Sequence, residues 1–407
     1  MRQYANPFNA GFGVDPPYLA GRDELIHRIL ADLREGPGRD KFVQVLIGDR
    51  GVGKTTVQNH LRQYVTNEFG WSTMRWTASR ESPFAAALDD AYDLLRAQLL
   101  GPRRRLKGAS VGVNAGVVRA DIDMASTTRR PATVAGQLRS IGELAAAANR
   151  TVVVFVDELQ AGDPTSLSSL STAFQETNGE KLPIALVAAG LPTTKARLRQ
   201  LTGVTFIERQ RPTRLANLTG AESLDALEQP LVDAGRSYDP NILPIMLEMA
   251  DGYPYALQLV GEHTWDAAGD EPSITPAHAR QGVALAQDDL DSIYHGRWDD
   301  LTERQRDYLH AVLEHLGPDE SAPSSAVAET YGGSTHSASQ TRQALINQHQ
   351  LLYSDAKGSL RFALPGLRDW LSRNITPTTS NIDTTMADMV RPPPPAEPES
   401  PGLDFGL

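Results

Sequence analysis

The stretch Gly48-Asp49-Arg50-Gly51-Val52-Gly53-Lys54-Thr55 constrains this chain more than any other. The apolar run Phe42-Val43-Gln44-Val45-Leu46-Ile47 precedes it and reads as a buried strand. Thr56 to Glu68 follows and reads as a helix, with Val57, Leu61 and Val65 on one face. A strand, a glycine-bearing loop ending in Gly-Lys-Thr and a helix make a phosphate-binding loop. Glycines let backbone N–H groups turn inward around a phosphate chain, at the positive end of the helix dipole. Gly48, Asp49, Arg50, Gly51, Val52, Gly53, Lys54, Thr55 and Thr56 are therefore the candidate nucleotide ligands. Lys54 is expected to reach the β- and γ-phosphates and take part in catalysis. The Thr55 hydroxyl is expected to hold Mg²⁺.

A second motif lies about one hundred residues further on. Val152-Val153-Val154-Phe155-Val156 is a β-branched run that ends in Asp157-Glu158. Such a strand sets its carboxylates at the carboxyl edge of a parallel sheet, where the loop also lies. Asp157 is expected to bind Mg²⁺ through water, and Glu158 to orient and deprotonate an attacking water. The rest of a hydrolytic site is harder to read. The strand expected over 184–189 ends in Ala188-Ala189-Gly190, with no Asn or Thr at its tip. Thr193 and Thr194 read first as the start of a helix. Arg197, Arg199, Arg209 and Arg211 are candidate arginine fingers, each taken singly more simply a surface charge. Asp251-Gly252-Tyr253-Pro254 allows two readings: a backbone approach to adenine through Pro254, or a plain helix–helix turn.

Composition excludes several classes. There is no cysteine, which rules out disulfides, thiol catalysis and cysteine metal sites, and suits a reducing cytoplasm. Net charge is −11, so any nucleic-acid contact must come from a local basic patch. No apolar run approaches the roughly 18 residues of a membrane span, and the first residues lack the apolar core of a signal peptide. His310 and His315 read as a solvated helix face rather than a metal pair.

The periodicities divide the chain into four. Residues 1–212 alternate strands and helices: helices to about Arg34, over 56–68, from Pro83 to about Leu100, and over 133–149, 165–176 and 192–201; strands over 42–47, 71–76, 151–156, 184–189 and 204–208. Within them, 101–131 differs in texture, with the basic Arg103-Arg104-Arg105-Leu106-Lys107 and a glycine-bearing hairpin over 111–122. Residues 213–299 read as all-helical, a lid. Residues 300–374 carry helices at 302–316, 324–331 and 337–349. Leu351–Ser354 and Leu360–Ala363 then pair around Asp355-Ala356-Lys357-Gly358, which makes a winged helix. Its reading helix is polar rather than basic, with Arg342 among Gln and Asn side chains, so DNA and a protein partner are both open. Residues 375–407 are Pro-rich and acidic and are expected to be disordered.

Taken together these residues resemble the Orc1/Cdc6-like branch of the AAA+ ATPases, close to the STAND signalling ATPases. The likeness covers about residues 6–374. It rests on Leu19-Ala20-Gly21-Arg22-Asp23-Glu24, the phosphate loop, Asp157-Glu158-Leu159-Gln160, Ala189-Gly190-Leu191-Pro192 and Gly252-Tyr253-Pro254-Tyr255 with Trp265. It extends to Arg342, Leu345-Ile346 and the Leu351-Leu352-Tyr353 wing. The resemblance implies a P-loop α/β core with a parallel sheet in the order 5-1-4-3-2, a helical lid over the nucleotide and a C-terminal winged helix. It implies ATP with Mg²⁺, an adenine site near Gly21 and Arg22, and ATP-dependent self-assembly. Two departures stand out. No lid arginine is evident near Pro254, and the first polar sensor is missing. Both favour a slow nucleotide switch, associated with duplex DNA or, alternatively, signalling to a protein partner.

Overall fold

The computed structural model describes residues 4–11, 16, 18–104, 130–332, 334–354 and 358–374. The hairpin expected over 111–122, the Lys357 turn and the 375–407 tail lie outside the described residues.

A sheet covered on both faces needs continuous apolar strands, and three central strands have them. β1 (Val43–Ile47) is buried at every residue, as are β3 (Val152–Asp157) and β4 (Ile184–Gly190). β2 (Ser72–Thr77) alternates between buried and open positions, as an edge strand does. The order is β2-β3-β4-β1-β5, with every pairing parallel. Read from the other edge, this is the 5-1-4-3-2 order that the resemblance implies.

Helices cover both faces. On one side α1 (Asp23–Arg34) and α2 (Lys54–Asn67) pack Ile29, Leu33, Val57 and Leu61 against Leu46, Phe155 and Val187. On the other, α3 (Phe84–Arg104), α4 (Val134–Ala147) and α5 (Pro164–Gly179) pack Leu88, Ile141 and Phe174 against Val154 and Leu186. The side-chain period of two sends alternate residues of β3 and β4 into the two layers. α6 (Thr194–Leu198) follows β4.

The strand expected over 204–208 is instead a single helical turn, α7 (Thr205–Glu208). Val204 and Ile207 are both buried in the second layer, and a spacing of three puts them on one side of a helix, not of a strand. The fifth strand is β5 (Thr213–Arg214), which pairs with Leu46 and Ile47. Two residues are too few to leave a periodic pattern.

Four helices follow: α8 (Gly220–Asp233), α9 (Ile242–Ala250), α10 (Pro254–Ala267) and α11 (Pro276–Asp299). The region is not wholly helical. β6 (Ser237–Tyr238) and β7 (Ser273–Ile274) form a short parallel bridge that joins its loops. The N-terminal residues lie along α10. Phe8 is buried against Gly261, where an added methyl would lie 2.4 Å from the ring.

The last unit has α12 (Glu303–Glu314), α13 (Ser324–Tyr331) and α14 (Thr335–Asn347), then a hairpin of β9 (Leu352–Tyr353) and β10 (Ser359–Phe362). β8 (Ala322–Pro323), unforeseen, adds to β10 and makes a three-stranded sheet. α15 (Leu367–Asn374) closes the unit by burying Trp370 against Tyr294, His295 and Trp298 of α11. Buried apolar residues of the α8–α11 region and of this unit form one continuous cluster. No described helix is long and apolar enough to cross a membrane.

Candidate nucleotide site

Three parallel strand tips converge on the loop. The register Ile47↔Gly190 and Val156↔Ala188 sets the ends of β1, β4 and β3 side by side. The Gly48 N–H donates to the Gly190 carbonyl at 3.3 Å. Gly51 and Gly53 take positive φ, 73° and 89°, which β-carbon sterics make costly for other residues. Space opens at Gly53, where an added methyl would meet nothing within 4 Å.

Lys54 is 7% exposed, and its Nζ donates to the carbonyls of Gly48 (3.0 Å) and Asp49 (2.7 Å). Burial lowers its pKa, while Glu158, Asp157 and Asp49 pull it back up. Asp49 is pushed up to about 6 by burial, against the pull of Lys54, Arg214 and Arg361. The Thr55 hydroxyl donates to Asp157 Oδ2 at 2.8 Å. The same oxygen faces Arg75 Nη2 at 3.4 Å, and Asp157 Oδ1 accepts from the Glu158 N–H at 2.9 Å. Thr55 and Asp157 thus set two hard oxygens side by side, with no nitrogen or sulfur ligand between them. That donor set fits Mg²⁺, which binds through few protein oxygens and keeps its waters. Glu158 itself sits in the left-handed region, φ 52°, and its Oε2 accepts from Gln160 Nε2.

The structure brings ten of the sequence candidates onto one cleft of about 290 Å³: Arg22, Arg50, Gly51, Val52, Gly53, Lys54, Thr55, Thr56, Glu158 and Pro254. Gly48, Asp49 and Asp157 are not part of its lining but adjoin residues that are, and Gly21, which is exposed, precedes Arg22. Gly21, at φ 64°, is pressed on Glu222, whose Cδ would lie 2.5 Å from an added methyl. Arg22 is not free in the cleft. Its Nη2 donates to Ala216 O at 2.6 Å and Val52 O at 3.3 Å, which ties the phosphate loop to the start of the helical region.

The Gly-Tyr-Pro turn begins a helix and also reaches the cleft. Pro254 is the first residue of α10, and Gly252 takes φ 71°. Pro254 also lines the cleft. Tyr253 goes further: an added methyl on Gly51 would lie 2.3 Å from its hydroxyl. Burial raises the Tyr253 pKa, so the group stays a phenol and a hydrogen-bond donor.

The other candidates resolve more plainly. Thr193 caps α6, and the buried Thr194 donates to Gln160 Oε1 at 3.4 Å. Arg197 donates to Gly162 O at 2.9 Å, and Arg199 pairs with Glu208 at 3.0 Å. Arg209 and Arg211 are exposed. His310 stacks edge-on against Trp298 and His315 contacts Thr330; among the described residues no group of three or more His, Asp or Glu side chains is placed to hold a metal ion.

Sequence reasoning missed the residues that come from far along the chain. Arg50 donates to Gln350 Oε1, which joins the phosphate loop to the end of α14. Leu364 and Pro365, beyond β10, line the same cleft, and the Tyr294 hydroxyl donates to Pro365 O at 2.6 Å. Arg75 had one signal: it is the lone cation on the outward register of an alternating edge strand.

Comparison with known proteins gives two family matches. The AAA ATPase domain family matches residues 18–187, and a domain of unknown function (DUF8462) matches residues 291–371. The chain has the Orc1/Cdc6-like AAA+ fold. Its structure is similar to the Walker-type ATPase paby2304 of Pyrococcus abyssi (TM-score 0.58, 13% identity, 87% of this chain and 96% of that one). It is also similar to the Aeropyrum pernix ORC2 protein, solved in ADPNP–ADP complexes (TM-score 0.52, 16% identity, 89% of this chain and 96% of that one). At these identities the AAA+ likeness is one of fold. No curated protein matches the sequence.

Proposed function

We propose that this AAA+ ATPase domain drives a nucleotide switch. ATP binds in the cleft between residues 1–212 and the lid at 213–299, with its phosphates on the Gly48–Thr56 loop. Thr55 and Asp157 hold Mg²⁺, which when bound offsets charge on the phosphate oxygens. Glu158 takes the proton of the attacking water. Slow turnover follows from the tip of β4, where Gly190 supplies no polar side chain. The reading gains support from the Aeropyrum pernix ORC2 neighbour, which was solved with nucleotide.

The observation that carries the switch is the contact of residues 300–374 with the site. Gln350 accepts from Arg50 of the phosphate loop, and Leu364 and Pro365 form part of the cleft wall. A ligand seated on the loop therefore meets the C-terminal unit directly. Because the lid and this unit share one buried cluster, they move together against the core. We read the unit as a winged helix that associates with duplex DNA, in the cytoplasm, followed by a tail at 375–407.

One observation favours the second reading, a signalling ATPase whose winged helix holds a protein partner. Arg361 lies 3.5 Å from Asp319, Arg368 3.5 Å from Glu320 and Arg373 3.4 Å from Asp291. Three arginines of this unit that could meet phosphate are thus paired within the chain. The test is binding of labelled duplex at two salt concentrations, with ATP and with ADP, beside a measured ATPase rate and the mass in solution. Nucleotide-dependent binding that weakens with salt supports the DNA reading. No binding by the parent at low salt in either state overturns it in favour of the protein partner. No hydrolysis at all overturns the switch.

A further inference from the structure

Gln160 joins the two parts of the site that sequence reasoning found least complete. It is buried, 3% exposed, and makes three hydrogen bonds. Its Oε1 accepts from the Leu191 backbone N–H at 3.0 Å and from the Thr194 hydroxyl at 3.4 Å. Its Nε2 donates to Glu158 Oε2.

The orientation of this amide is set by chemistry. A backbone N–H can only donate, so the Gln160 atom facing Leu191 must be the oxygen. Reversing the amide would set its NH₂ against that N–H and leave a buried donor unmade. The amide nitrogen is thus obliged to face Glu158 and to donate to it. One Glu158 oxygen is occupied and the other is left for water.

Glu158 needs such a hold. It is a non-glycine residue at φ 52°, ψ 39°, a conformation that persists only where neighbours over-determine it. The hold is anchored at the tip of β4. A methyl added to Gly190 would lie 2.3 Å from Thr194 Oγ1 and 2.9 Å from Gln160 Oε1. The place that a polar side chain on the strand tip would fill is already taken by Gln160 and Thr194.

We infer that Gln160 is a positioning residue for ATP hydrolysis: it holds the Glu158 carboxylate in place and couples it to the tip of β4, where no sensor side chain is present. The inference rests on the reading of Glu158 as general base. Gln160 does not face the cleft, so nucleotide affinity should not depend on it.

The test uses the full chain with Gln160→Met and Gln160→Asn, each also combined with Glu158→Gln. Gln160→Met keeps length and loses all three hydrogen bonds. Gln160→Asn keeps the amide but is one methylene too short to reach both partners, and it guards against a variant that fails to fold. Single-turnover hydrolysis should fall by roughly 10- to 100-fold, the scale on which removing a supporting partner acts, while ATP affinity by titration calorimetry stays within about twofold. Because both residues act as a unit, adding either change to Glu158→Gln should cost nothing further. Equal losses in affinity and rate, multiplicative losses in the double variants, or an unchanged rate would each overturn the inference. If Glu158→Gln alone hydrolyses ATP like the parent, the base assignment fails and the inference falls with it. If Glu158→Gln is slow and Gln160→Met is not, only the inference falls.

Discussion

Asp49→Asn is the most direct probe of the electrostatics of the phosphate loop. Asp49 adjoins the cleft lining, with Oδ1 buried and no hydrogen-bond partner for it among the described residues. Burial raises its pKa from 3.8 to about 6, although Lys54, Arg214 and Arg361 pull the other way. The folded state therefore binds this proton more tightly than the unfolded chain. The stability it contributes is present below the unfolded value and is lost as pH rises through the folded one. A change from 3.8 to about 6 corresponds to roughly 3 kcal/mol, at about 1.4 kcal/mol per tenfold in proton affinity. An asparagine carries no charge to desolvate. Without nucleotide, Asp49→Asn should be more stable than the parent at neutral pH by up to that amount. The gap should open between about pH 4 and pH 6 and stay level above. Urea unfolding across that range measures it. Parallel curves would show that burial does not govern this carboxyl. A variant less stable at neutral pH would show that the three cations outweigh burial.

Lys54→Ala should abolish tight ATP binding, because the phosphates lose the one ammonium buried under the loop; undiminished affinity in calorimetry would remove the central claim. Glu158→Gln should leave nucleotide affinity intact and lower turnover by about 10²-fold or more, the scale of a lost general base. Tyr253→Phe should weaken ATP by roughly 10- to 100-fold if its hydroxyl donates to a phosphate oxygen, since a hydrogen bond to a charged group is worth about 1.5–3 kcal/mol. Equal weakening of adenosine, which has no phosphates, would move the Tyr253 contact away from the phosphate chain.

Local signals made the core legible. Val43–Ile47 and Val152–Asp157 are continuous apolar runs, and a central parallel strand needs no partner information to be read. The phosphate loop and Asp157-Glu158 are short motifs whose geometry comes from two or three adjacent residues. β5 escaped because two residues cannot show a period, and α7 because Val204-Thr205-Phe206-Ile207-Glu208 is rich in β-branched and aromatic residues, as strands are, while its burial follows a helical turn. The wall of the cleft escaped for a different reason. Gln350 lies 300 residues from Arg50, and no pattern in either segment announces the contact. Gln160 was visible as part of Asp157-Glu158-Leu159-Gln160, but its role depends on Leu191 and Thr194, which only folding brings near.

The same long-range contacts bear on how the C-terminal unit can work. Arg368–Glu320 and Arg373–Asp291 involve side chains that are half exposed or more on at least one partner. Exposed pairs of this kind hold by about 0–1 kcal/mol, so either arginine is easily surrendered to a competing phosphate or carboxylate. The Arg361–Asp319 pair is also more than half exposed on one partner, but Arg361 is the least exposed of the three arginines. Its side chain is only 26% exposed, it pairs with Asp319, and its charge is felt by Asp49 inside the phosphate loop. A nucleotide places several negative charges beside that loop, more than the single charge of the Asp49 carboxylate. We expect the pull on Arg361 to change with the occupancy of the site more than the pull on Arg368 or Arg373, since Arg361 alone of the three acts on Asp49.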